Sequence, residues 1–434
     1  MTSEERRVAR YRRRKEKREK KKREVGSKTF EEVFSFANLH RAGIKSCKGV
    51  RWKTSTILFE VFICQESHAI RQELKSGKRK FKGFHSFILV EHGKARAIDA
   101  LPIRDRAAQK CLVQNLLTDA YTRSFVTDNA ASLKCKGMDY SLRRLKKHLR
   151  DHCQKHGLKG GIYQYDFKSY FASIPHEGMK ERARARIMDD HIYSIFCAWV
   201  DDFQLLQTAE PNAKIKRGAG LGSENSQLIS LEYANPIDHF IKEVCGIKGY
   251  GRYMDDGYVI SDSLEELHKI KAAVYRLTES IGLRMSDKKN IITPFAHHSF
   301  TFLKMRVKLK EGKEVIMKLG RKSVRAVRRK LTIFRRWVKA GKMDAEDAFA
   351  SYQSWRAHAR RTQSFDTLQA MDERFAVMFK DELRTRKRKF PCTLMAVKTK
   401  AGWEYFRRTQ GRKETRWNIF AITDSKASQS ERER

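Results

Sequence analysis

Residues 248–261, KGYGRYMDDGYVIS, constrain this chain more than any other stretch. Alternating positions on either side of Asp255-Asp256-Gly257 read as strand, turn, strand, a β-hairpin with two carboxylates at its turn. Upstream, IYQYDFKSYF reads as a second strand, which carries Asp166. Taken singly, a D-D-G is usually only a turn and a strand-end Asp is usually solvated. Taken together, three acids distant in the chain converge if the two strands share a sheet. Two or three carboxylates suffice for Mg²⁺, which prefers hard oxygens and keeps several waters. Two such ions are what nucleotidyl transfer needs, to activate an attacking oxygen and neutralise a leaving pyrophosphate. Successive strand residues point to opposite faces, so one Asp of the pair faces Asp166 and the other lies to the side. This reading makes Asp166 and Asp255 the main metal ligands and Asp256 the weaker one.

Charge narrows the partner. The chain has 434 residues, with 93 Lys+Arg against 51 Asp+Glu and a formal net charge of +42. Such a chain repels itself and calls for a polyanion. Nucleic acid comes first, since each neutralised phosphate releases condensed counterions; an anionic membrane is the competing reading. No apolar h-region follows the charged N-terminus, and no apolar run approaches the roughly 18 residues of a membrane span. The expectation is a cytoplasmic protein without a membrane partner. The eight Cys are scattered without a C-x-x-C pair, which argues against a zinc ribbon or a disulfide framework and for free thiols.

At this length two or three domains are expected. Residues 4–23 form a charge run with almost nothing to bury, read either as a solvated tail or as a basic arm that follows RNA. The run TSTILFEVFI could be helix or strand. Residues 84–100 read as two strands around His92-Gly93. Helices are expected over about 102–122, 138–156, 176–207 and 263–281, with a Gly-rich loop at 217–224 followed by a helix to about 243. A strand pair is expected at 291–310. From 320 onward basic helices suggest a separate helical domain, with short strands near 390–422 and a disordered tail from 423. No internal repeat is evident.

Tyr253-Met254-Asp255-Asp256 resembles the Y-x-D-D box of reverse transcriptases. Asp166 to Phe171 resembles the family's earlier D-x-x-x-[YF]-[YF] box, and Gly222 to Gln227 its G-x-x-x-S-[PQ] box. Leu283 to Asn290 is similar to the lysine-bearing segment after the hairpin. Phe302-Leu303-Lys304 resembles the primer grip F-L-G, with Lys where Gly is usual. All five occur in the family's order, across roughly 84–380. The resemblance implies an α+β right-hand polymerase fold: a basic arm (1–29), fingers with the first part of the palm (30–160), a palm carrying the site (161–315), a helical thumb (316–385), and a C-terminal extension and tail (386–434).

It also implies residue roles. Asp166, Asp255 and Asp256 would hold two Mg²⁺, with Mn²⁺ an acceptable substitute. Lys289 would protonate the leaving pyrophosphate, with neighbouring Lys288 as the alternative. Phe171 stands where the family places the aromatic that excludes a ribose 2′-OH. Arg96, with Lys94, would meet the dNTP triphosphate, and Tyr253, Gly222 and Ser226 would complete the nucleotide pocket. Arg104 and Arg106 are read either as template- or dNTP-side contacts or as surface charges at a helix start. Arg321, Lys322, Arg325, Arg328, Arg329 and Lys330 would grip the primer-template. Trp337, Trp355 and Phe365 are read as helix-packing residues.

Leu221 and Gln227 resemble the pattern of diversity-generating retroelements and related unassigned or defence-associated bacterial clades, which implies error-prone copying. The retron-type pair, an endonuclease tail and an RNase H acidic set are not evident. Expected partners are template RNA, primer or cDNA, dNTPs, and a structured non-coding RNA or accessory protein. The alternatives are a maturase-like RNA-binding protein with a relic site, and a template-independent or protein-primed polymerase using the same site.

Overall fold

The computed structural model describes residues 2–77, 84–91, 94–202, 216–220, 222–296, 298–385, 395–399, 402–411 and 414–422. The side chains of Lys94, Arg96 and Lys288, and all those from 381 onward, lie outside the described set. The chain is mixed α and β, every ladder among the described residues is antiparallel, and it divides into two compact units.

The first unit covers residues 1–297 with 311–313. It opens with helix α1 (Ser3–Gly26), followed by α2 (Phe30–Val33), α3 (Phe36–Cys47), α4 (Thr54–Val61) and α5 (Ile63–Lys75). The ambiguous TSTILFEVFI run is therefore helical: Thr56 and Phe59, three apart, share the buried face. Helix α1 starts with a reciprocal capping box, in which Glu5 N–H donates to Thr2 Oγ1 (3.2 Å) and Thr2 N–H to Glu5 Oε2 (2.7 Å). Its far end is pinned where Met188 N–H donates to the Gly26 carbonyl (3.0 Å). The basic run is thus a docked helix.

Strands β1 (His85–Glu91) and β2 (Lys94–Ala100) form the expected hairpin, with Leu89 opposite Arg96. Helix α6 (Ile103–Leu112) continues through a π-turn at 113–117 into α7 (Thr118–Thr122). Helix α8 (Met138–His156) buries Leu142, Leu145 and Leu149 together with His148 and His152, and turns Arg143, Lys147 and Arg150 outward.

The sheet that carries the candidate site has the order β4-β5-β3-β6. Its members are β3 (Gly161–Tyr165), β4 (Gly249–Tyr253), β5 (Asp256–Ser261) and β6 (Ile291–Pro294). Between β3 and β4 lie α9 (Tyr170–Ser173), α10 (His176–Arg184), α11 (Asp190–Asp201), α12 (Glu224–Tyr233) and α13 (Asn235–His239). Tyr258 and Val259 point to opposite faces of β5, and both are fully buried, so the sheet is covered on both sides. Helix α14 (Leu264–Ser280) lies against it through Leu267, Ile270 and Val274, after Ser263 caps its N-terminus.

Three expectations are corrected here. The strand expected over IYQYDFKSYF ends at Tyr165, and 170–173 is a helical turn. Ser169 takes φ 49° there and redirects the chain. The helix expected over 176–207 breaks at 185–189, where Asp189 caps α11 by accepting from Ile192 N–H; residues 203–207 lie outside the described residues. The strand pair expected over 291–310 is split: β6 joins the sheet of the first unit, and the rest belongs to the second.

That second unit holds β7 (Phe300–Phe302), β8 (Met305–Leu309), β9 (Val315–Leu319), α15 (Arg321–Lys339), α16 (Ala345–Ala359) and α17 (Phe365–Thr385), then β10 (Met395–Thr399), β11 (Gly402–Gly411) and β12 (Glu414–Ile422). The expected boundary at 316 falls inside it. Its helical core is Leu331, Phe334, Phe349, Tyr352, Phe375 and Phe379. Arg356 forks onto Asp372 (2.8 Å), which also accepts from the Tyr352 hydroxyl (2.5 Å). No helix among the described residues is long and apolar enough to cross a membrane.

Candidate active site

Register brings the acids together. Tyr165 pairs with Gly257, so the next residues along the two strands, Asp166 and Asp256, face each other across β3 and β5. The β4–β5 turn is tighter than the expected Asp-Asp-Gly turn. Tyr253 pairs with Asp256, so the turn is Met254-Asp255 and Asp256 already belongs to β5. Met254 takes φ 58°, in a region that suits glycine.

A third segment crosses the same edge. Lys168 N–H donates to the Arg284 carbonyl (2.8 Å), and Ser286 N–H to the Asp166 carbonyl (2.8 Å). This ladder carries the chain into a 3₁₀ turn at Asp287–Lys289. There the Lys289 ammonium donates to Asp166 Oδ2 and reaches Asp256 Oδ1 at 3.4 Å.

Electrostatics follow from that crowding. Burial, then the charges of Asp166 and Asp256, push the Asp255 carboxyl up to about 7. Burial also raises Asp256, against the opposing pull of Lys289. Burial would lower Lys289, but its hydrogen bond to Asp166 and the charges of all three Asp hold it above its ordinary value. The site is therefore short of positive charge, and one ammonium supplies part of it. Among the described residues no three His, Cys, Asp or Glu already stand in a metal-holding arrangement. The donor set nevertheless fits a hard divalent cation: three carboxylates at one end of the sheet, with a cationic group standing in between two of them.

A residue that sequence reasoning missed holds the turn. Arg252 and Asp238 are both fully buried. Arg252 Nε and Nη2 fork onto Asp238 (2.7 and 2.6 Å), Nη1 donates to the Met254 carbonyl (2.8 Å), and Nη2 also donates to the Leu231 carbonyl (2.9 Å). The Tyr250 hydroxyl donates to Asp238 (2.5 Å) and lies 2.8 Å from that of Tyr165. The only signal in the sequence was a cation two residues after a tyrosine, on the same strand face.

The remaining candidates are placed as follows. Phe171 is half-buried, edge-on to Tyr170 at 5.9 Å, and its carbonyl accepts from Ala219 N–H (2.8 Å). Tyr253 ends β4, half-buried. Gly222 takes φ 133°, and a Cβ there would come within 2.8 Å of the Asp99 carbonyl, so close packing on β2 explains the glycine. Ser226 is buried at the start of α12, where its N–H donates to Ser223 Oγ (3.0 Å). Arg104 forks onto Glu66 (2.5 Å) and Glu73 (2.9 Å), so its guanidinium ties α5 to α6. Arg96 and Lys94 lie on β2 with side chains outside the described set, as does Leu221 entirely. In the second unit, Arg321, Lys322, Arg325, Arg328, Arg329 and Lys330 are exposed along α15. Leu303 and Lys304 take φ 47° and 67° in the β7–β8 turn, so Lys304 occupies a conformation that glycine would hold without strain.

A family model described as reverse transcriptase (RNA-dependent DNA polymerase) matches residues 75–307. No curated protein matches the chain.

Proposed function

The chain belongs to the reverse transcriptase family, RNA-directed DNA polymerases that are nucleotidyltransferases with a palm, fingers and thumb and generally use divalent ions, typically Mg²⁺, and on that footing we propose that Asp166, Asp255, Asp256 and Lys289 form its polymerising centre. The observation that carries this is Lys289 bridging Asp166 and Asp256 at one end of the sheet, beside the turn that holds Asp255, inside the matched segment. Two divalent ions held by Asp166, Asp255 and Asp256 would activate the primer 3′-hydroxyl and neutralise the departing pyrophosphate.

The chain's own groups do the rest. Lys289, held protonated by the three Asp, is the acid for the pyrophosphate oxygen. Phe171 presents its ring to the sugar and disfavours a 2′-OH. Arg96 and Lys94 on β2 meet the triphosphate, for which a guanidinium fork is well shaped. Tyr253, Gly222 and Ser226 shape the wall of the nucleotide pocket. Arg104 is the weakest of the proposed nucleic-acid contacts, since two carboxylates already hold it. The exposed cations of α15 grip the primer-template as a thumb, by backbone and shape rather than sequence. Fingers over 30–160, palm over 161–315 and thumb over 316–385 are part of this reading. So are a cytoplasmic setting and a bacterial retroelement or antiphage-defence role.

Purified protein with Mg²⁺, primed RNA and labelled dNTPs is expected to extend the primer. Asp255→Ala with Asp256→Ala is expected to abolish extension, by 10³-fold or more, with RNA affinity nearly unchanged. Extension by the double variant at a comparable rate would refute the assignment.

A further inference from the structure

A cavity of about 480 Å³ lies at the other end of β4 from the Asp-bearing turn. The five-residue strand between them spans about 16 Å. Three walls enclose it. Helix α1 contributes Arg7, Arg10, Tyr11 and Arg14, and α8 contributes Arg144, Lys147, His148 and Asp151. Each set has the spacing i, i+3, i+4, i+7, so each is one continuous helix face. The third wall is the segment 242–248, with Lys242 and Lys248.

Seven of the thirteen lining residues are Lys or Arg, against the carboxylates of Asp151 and Glu243. Three of the cations have carboxylate partners: Arg144 (2.5 Å) and Lys242 (2.8 Å) pair with buried Asp128 beneath them, and exposed Lys147 pairs with Asp151 one turn on (2.9 Å). Arg10, Arg14, Lys147 and Lys248 are exposed. The fit between walls is close, since a Cβ at Gly246 would touch Arg7 at 3.2 Å. A second cleft of about 430 Å³, lined by Arg143, Lys146, Lys147, Arg150 and Asp151, adjoins it through Lys147 and Asp151. The cationic surface thus runs from α1 across α8.

We propose that this surface is a second nucleic-acid site, which holds the sugar–phosphate backbone of a structured RNA on the first unit, away from the Asp-bearing turn. The chemistry favours phosphate. Guanidinium forks match phosphate oxygens. Each helix face carries its charges along about 10 Å, more than one small anion can use. A protein partner would meet few apolar anchors here, because Tyr11 and Ile247 are the main ones. The proposal does not depend on which residues perform the chemistry.

The test uses the full chain with Arg10→Gln, Arg14→Gln, Lys147→Gln and Lys248→Gln combined. A charge-matched control carries Lys48→Gln, Lys53→Gln, Lys134→Gln and Lys269→Gln. Binding of a hairpin RNA is measured from 100 to 400 mM KCl, beside sodium tripolyphosphate and phosphatidylserine vesicles. The first variant is expected to keep its thermal midpoint and its extension rate on a short pre-annealed primer-template. Its RNA affinity is expected to fall tenfold or more, and its slope of log K against log salt to shrink by about 3. The control slope should change by less than about 1. Equal slopes for the two variants would overturn the proposal. So would a loss confined to vesicles, or one confined to tripolyphosphate.

Discussion

Arg252 shows how one residue can govern a turn it does not occupy. Its guanidinium neutralises Asp238 in the core and bonds the carbonyl of Met254, which holds a backbone conformation that glycine would favour. Strain of this kind persists only when neighbours over-determine it. Arg252→Lys keeps the charge but cannot fork. Primer extension is expected to slow tenfold or more, with a stability loss of about 2 kcal/mol; unchanged kcat would sink the positioning role. Arg252→Met strands a buried carboxylate and should cost about 4 kcal/mol in urea titration.

His148 makes a prediction about pH. Its Nε2 accepts from Arg144 (3.1 Å), so Nδ1 carries the proton and donates to the Tyr258 hydroxyl (3.0 Å). Burial pushes the imidazole from 6.5 down to about 4, against the opposing pull of Asp128. With the folded value depressed, stability is complete above pH 6.5 and is lost as pH falls toward 4. The loss amounts to about 3 kcal/mol. Thermal midpoints of the native chain should therefore drop more steeply between pH 7 and 4.5 than those of His148→Gln. Parallel curves would contradict this.

At the scale of elements, the β4–β5 hairpin depends on an absent side chain. A Cβ at Gly257 would overlap the Tyr165 ring, which lies across β5 and is anchored through Tyr250. Gly257→Ala is expected to cost about 2 kcal/mol by overpacking. Because Gly257 follows Asp256 and pairs beside Asp166, extension should fall further than stability alone explains. A variant with lowered stability but full activity per folded molecule would show that the register tolerates the shift.

For the whole molecule, two separate cores mean that damage can be local. Phe375 stacks on Tyr352 (4.5 Å) and Phe379 (4.9 Å) in the second unit. Phe375→Ala should lower one calorimetric transition by about 4 kcal/mol and leave the transition of the first unit in place. Equal displacement of both would mean that the units unfold as one. The net charge of +42 acts at the same scale, since it favours polyanions whatever the local geometry.

The sequence by itself determined most element types and marked Asp166, Asp255, Asp256 and Lys289 as the candidates that the proposed function uses, because hydrophobic period, caps and short motifs act over a few residues. It also marked the hairpin at 85–100, the helix at 138–156 and the basic helices after 320. It did not determine where the IYQY strand stops or which two residues make the Asp-bearing turn, since register is set by partners far along the chain. Nor could it pair Arg252 with Asp238, or set Gly257 under the Tyr165 ring. It read residues 4–23 as an arm or a tail, whereas the fold seats that helix on α7 and the turn at 240–244, where it faces the basic side of α8 across a cleft. Those outcomes come from packing and desolvation, which exist only once distant segments meet.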